Sequence, residues 1–174
     1  MYPQCRNEAS VQATLTFLRT ELLDDIRQYA YVEADIMDAD DEHSRHQVFD
    51  IAEDGNIDRV TRVLNLAYSE CVEALYPYSK TAVESTEERN DVLVQKQEYV
   101  IQLLLPETFS KTTVNILTEY IHEYMICRVL SDWFSITKPD SKKNWEEKAE
   151  KAISKMRSAI QFRTKRVRRT LSPF

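Results

Sequence analysis

The chain holds a single glycine in 174 residues. Average usage near 7% would supply about twelve. Glycine serves positive-φ turns, phosphate-cradling loops and strand bulges. A P-loop, a Rossmann fingerprint and a glycine-rich oxyanion loop each need several glycines at fixed offsets, so all three are excluded. A large sandwich or barrel would want more tight turns than this chain can make cheaply. No run of about 18 apolar residues is present, so no transmembrane helix and no membrane partner are expected. The opening MYPQCRNEASVQ lacks a basic region followed by an apolar stretch, and no secretory signal is expected. The cysteines are few (Cys5, Cys71 and Cys127), odd in number and widely spaced, with no CxxC. They read as reduced thiols of a cytosol-like compartment.

What is abundant is apolar and charged side chain. At 43% hydrophobic the chain can bury a real core, hiding roughly 70% of its unfolded-state surface at this size. Residues 1–162 read as one helical bundle domain and residues 163–174 as a basic C-terminal tail. The net charge of −6 conceals a division: residues 1–141 hold 12 Lys/Arg against 26 Asp/Glu, and residues 142–174 hold 11 against 3. Either the two surfaces face each other within the fold or across an oligomer, or the basic end meets an external anion.

The expected fold is mainly α, a bundle of four to five helices with a small β-ribbon around residues 81–105. Val11, Leu15, Leu18, Leu22 and Ile26 follow i, i+3/i+4 spacing, predicting a first helix from Ser10 toward Met37. Residues 38–46, DADDEHSRH, read as a connection, and His46 to Glu53 as a short helix. Gly55 sits in the turn Asp54-Gly55-Asn56, where positive φ is expected. Asn56 is placed to cap a helix that buries Val60, Leu64, Ala67 and Cys71 and stops at Tyr76-Pro77. The run Tyr99 to Leu105, closed by Pro106, predicts a strand, with Asp91–Val94 or Thr81–Ser85 as its partner. A two-stranded ribbon is marginal alone, so it must lie on the helices or pair with another subunit. The second option makes Tyr99, Ile101 and Leu103 candidate subunit contacts. The most apolar helix is expected over 112–136, central in the bundle. A last helix, capped by Asp140 or Ser141, turns Trp145, Ala149, Ala152, Met156 and Ile160 inward.

No motif carries catalysis. Glu119 and His122 form one ExxH, whereas a di-iron bundle needs two plus two further glutamates. His122 to Ile126 reads HEYMI, not HExxH. Cys127 and His122 lie five apart on a helix and point in different directions. The acidic cluster Asp38, Asp40, Asp41 and Glu42 lacks the EF-hand order. No catalytic residue, metal ligand or cofactor is assigned.

The tail has its own character. Arg163, Lys165, Arg166, Arg168 and Arg169 put five cations in seven residues. On a helix they would surround the axis, which suits no core. They fit phosphate or nucleic-acid contact with counterion release, or a clamp onto an acidic protein surface. Aromatic interleaving for base stacking is thin, limited to Phe162 and Phe174, which argues against sequence-specific readout. The ending Leu171-Ser-Pro-Phe174 has the look of a docking peptide.

Three stretches carry a resemblance: RVLNLAYSECVEALYPYSK (62–80), YVIQLLLPETFSKTTVNILTEYIHEYMICRVLSDW (99–133) and RTKRVRRTLSPF (163–174). They resemble helical proteins encoded among the structural genes of tailed phages and prophages, in the style of neck, head–tail connector or head-completion subunits. That resemblance implies a non-enzymatic assembly protein, forming a ring with copies of itself under the portal. Residues 81–105 and 163–174 would reach neighbouring copies. Portal or tail proteins, and packaged DNA through non-specific contact, would be the partners. Its place would be the virion, or the host cytoplasm during assembly. A helical nucleic-acid-binding or adaptor protein using the basic tail is the alternative.

Overall fold

A computed structural model of the chain describes residues 10–37, 42–80 and 91–162. The fold is mainly α with a small two-stranded sheet. In chain order the elements are β1 (Ser10–Leu18), α1 (Arg19–Asp35), α2 (Glu42–Phe49), a 3₁₀ turn (Asp50–Ala52), α3 (Ile57–Ala74), β2 (Glu98–Pro106), α4 (Lys111–Thr137) and α5 (Pro139–Phe162).

The start of the chain corrects the expected first helix. Ser10–Leu18 is a strand, and the helix begins only at Arg19. Its side chains alternate: Leu15 and Phe17 are buried, while Gln12, Thr14 and Thr16 are exposed. That is the period of a strand with one wet face. β1 pairs antiparallel with β2 from Ser10↔Pro106 through Leu18↔Glu98, nine pairs without a bulge. The ribbon's partner strand is therefore β1 and not Asp91–Val94, which has no regular structure; Thr81–Ser85 lies outside the described residues.

The inner face of the ribbon lies on the helices. Leu15 and Phe17 from β1 join Tyr99, Ile101 and Leu103 from β2 in one core with Leu22 and Ile26 of α1, Leu64 of α3, and Leu117, Ile121 and Met125 of α4. α4 is 27 residues long, about 40 Å at 1.5 Å per residue, and it is buried over most of its circumference. A helix apolar all round belongs at the centre.

α5 folds back along α4 after the single residue Lys138, forming an αα-hairpin. Phe134 meets Trp145 near the turn, with ring centroids 6.1 Å apart, and Lys155 reaches over Tyr120 further along. The last helix starts one residue earlier than the expected cap, at Pro139. Proline suits a first helical position, because that N–H has no intrahelical partner.

Smaller corrections have local causes. α2 begins at Glu42, inside the stretch expected to be a connection, and a 3₁₀ turn completes the His46–Glu53 segment. Asn56 does hold the N-cap position of α3, but its amide donates to the Asp50 carbonyl at 2.9 Å and makes no capping bond. Gly55 does not adopt positive φ, and a Cβ added there would meet nothing within 4 Å. No helix among the described residues is long and apolar enough to cross a membrane.

Candidate functional site

The polar side chains inside the bundle form clusters, and each cluster ties elements together. The largest surrounds Glu33 near the end of α1. Its carboxylate accepts from Lys138 Nζ (2.7 Å), Ser141 Oγ (2.9 Å) and Trp145 Nε1 (3.1 Å). Lys138 also donates to the Glu33 backbone carbonyl at 2.9 Å. Burial alone would raise the Glu33 pKa; the three donors and the Lys138 charge outweigh it and hold the carboxyl below its ordinary value. The result is a fixed anion that locks α1 to the α4–α5 turn.

A second cluster joins α3 to α4. Tyr124 donates its hydroxyl to Glu70 Oε2 at 2.5 Å, and Arg128 Nε lies 3.4 Å from the same oxygen. Burial, then Glu70, raises the Tyr124 hydroxyl and the neighbouring Cys71 thiol. Arg59 of α3 reaches Asp132 of α4 with two donors, at 2.8 and 3.0 Å. These groups are paired with one another and brace α3 against α4.

The catalytic and metal patterns weighed in the sequence do not come together. His122 Nε2 is 2.8 Å from Asp25 Oδ2 on α1, while Glu119 of the same ExxH is exposed. Cys127 donates to Glu123 at 3.5 Å, and burial with Glu123 pushes its thiol up to about 12. A thiol so far from its thiolate is a poor nucleophile and a poor ligand. Among the described residues no group of three or more His, Cys, Asp or Glu is placed to hold a metal ion.

Tyr99, Ile101 and Leu103, expected at a subunit contact, are fully buried in this chain's own core. Burial alternates along β2, these three residues lie on its inward face, and the helices of the same chain cover it. Tyr99 donates to Asn65 Oδ1 at 2.9 Å and stacks near Tyr68. Arg163, Lys165, Arg166, Arg168, Arg169 and Phe174 lie outside the described residues, as do Cys5, Asp38, Asp40 and Asp41.

Two features stand out on the surface of the described residues. The first is charge. The exposed face of α5 carries Lys142, Lys143, Lys148, Lys151, Lys155 and Arg157 against Asp140, Glu146, Glu147 and Glu150, whereas α1 exposes Glu21, Asp24 and Asp35 against Arg27, and α3 balances Asp58 and Glu73 with Arg59 and Arg62. The second is the ribbon, whose outer face shows Gln12, Thr14 and Thr16 with Leu18 and Leu104. Sequence reasoning missed the β1 half of this ribbon, although Val11, Ala13, Leu15 and Phe17 alternate with Gln12, Thr14 and Thr16. The chain matches no protein-family model, no curated protein and no solved structure.

Proposed function

We propose that the protein is a non-enzymatic assembly subunit that binds copies of itself, a ring-forming component of the phage neck, head–tail connector or head-completion kind. The observation that carries this reading is the separation of charge over a cross-braced helical body. A net basic α5 face and a net acidic α1 surface lie on different elements of one chain. Such surfaces complement each other head to tail between copies, and a head-to-tail contact that closes makes a ring. The resemblance of residues 62–80, 99–133 and 163–174 to phage structural proteins supplies the kind of assembly. Portal or tail proteins would be the neighbours, with the tail at 163–174 reaching them or the packaged DNA.

Co-purification tests it. The full chain, mixed with portal and tail proteins of its own particle, is expected to enter a complex that a chain lacking 163–174 does not enter, while the shortened chain keeps its melting temperature. A full chain that never joins those proteins overturns the neck assignment.

The five cations at 163–169 favour one second reading, a nucleic-acid-binding adaptor. It requires salt-sensitive DNA binding that disappears when Arg163, Lys165, Arg166, Arg168 and Arg169 become alanine. Affinity unchanged by that substitution removes it.

A further inference from the structure

The two edges of the ribbon are treated differently. Arg19 N–H donates to the Gln97 carbonyl at 3.0 Å, continuing the ladder between the strands, and Leu104 N–H points the other way, to the Tyr78 carbonyl at 2.8 Å. These bonds fix the phase. Odd-numbered residues of both strands bond each other, and even-numbered residues turn their N–H and C=O outward. On β2 two of the outward groups are used by the chain itself: Tyr78 accepts from Leu104, and Tyr68 donates to the Val100 carbonyl at 2.7 Å. On β1 the outward groups of Gln12, Thr14 and Thr16 have no hydrogen bond among the described residues, and all three residues are exposed.

Proteins blunt such edges with charge, proline, bulges or a covering element. β1, SVQATLTFL, has no charge, no proline and no glycine, and its register is unbroken. Its exposed side chains are Ser10, Val11, Gln12, Thr14, Thr16 and Leu18, and β-branched threonine and valine favour strands. A two-fold contact sets each strand against its own copy, so a charged strand faces like charges. β1 carries none, and it also has no charge with which to select a different strand. Its midpoint, Thr14, is one of the outward-turned residues. Full overlap with a second copy is therefore a hydrogen-bonded register.

We infer that β1 is a dimerisation edge, pairing antiparallel with β1 of a second copy about a two-fold axis at Thr14. Gln12 then faces Thr16 of the partner copy, Ser10 faces Leu18, and the two ribbons become one four-stranded sheet. This rests on the self-assembly reading and gives it a specific contact, one distinct from the charged faces.

Charge pairing at Thr14 tests it. The Thr14 side chain lies on the wet face, so Thr14→Lys and Thr14→Glu leave the core untouched. Each variant alone is expected to lose the β1 contact and run at half the mass of the wild-type assembly or less, and an equimolar mixture is expected to regain the wild-type mass. Hydrogen exchange on the wild-type chain gives a second reading without any variant: the amides of Gln12, Thr14 and Thr16 should slow only as the chain self-associates. If the wild type self-associates and Thr14→Lys leaves its mass unchanged, or those amides stay fast, the edge pairing is wrong and self-assembly stands. A wild type that is monomeric at every concentration overturns both. Dimers that behave as expected but bind no portal or tail protein leave the edge pairing intact and overturn the neck assignment alone.

Discussion

Lys138 Nζ lies 2.7 Å from the Glu33 carboxylate and 2.9 Å from the Glu33 backbone carbonyl, so one ammonium fastens the end of α1 to the turn between α4 and α5. Ser141 and Trp145 complete the anion's shell. Folding lowers the Glu33 pKa, so the unfolded chain binds that proton more readily. The stability gained is therefore complete above the ordinary carboxylate range and disappears as the pH falls through the lowered value. Glu33→Gln should cost about 2 kcal/mol at neutral pH, the scale of hydrogen bonds to a charged group. Its deficit against wild type should shrink in acid. Urea melts at a series of pH values check this, and a constant deficit would contradict it.

Tyr99 is fully buried, and its hydroxyl donates to Asn65 Oδ1 at 2.9 Å. Tyr99→Phe removes the donor and keeps the ring, which should destabilise the fold by about 1 kcal/mol. Because the ring touches only this chain's core, the variant's native mass should match the wild type. A variant that melts normally yet fails to assemble would place Tyr99 back at a subunit contact.

Gly55→Ala should stabilise the chain by about 0.5 kcal/mol, through lost freedom in the unfolded state. The native backbone there is not in the positive-φ region, and the new methyl group meets nothing within 4 Å. A lowered thermal midpoint would mean that the turn needs glycine after all.

Much of the bundle is legible in the sequence because its signals are local. Val60, Leu64, Ala67 and Cys71 repeat at helical spacing and are buried together in α3. The long apolar stripe from Leu117 to Trp133 marks α4, and the expected span 112–136 agrees with Lys111–Thr137 within a residue at either end. β1 is misread because Val11, Leu15 and Leu18 satisfy a helical period as well as Val11, Ala13, Leu15 and Phe17 satisfy a strand period. What decides between them is β2, more than eighty positions away in the pairing Ser10↔Pro106. The alternation at Tyr99, Ile101 and Leu103 reports an inward face correctly, but no local pattern says whose core it enters. Glu33 carries no sequence signal at all, since Lys138 lies 105 positions on and Trp145 lies 112.

On the proposed reading, the charged faces and the uncharged edge of β1 are the surfaces through which the chain binds its own copies. Native mass spectrometry of the full chain, over rising concentration and at low and high salt, tests that most directly. The expected spectrum is a multiple of the chain mass, with salt dissolving contacts between the charged faces and leaving the β1 pair as a dimer. A single chain mass at every concentration and at low salt would contradict self-assembly altogether.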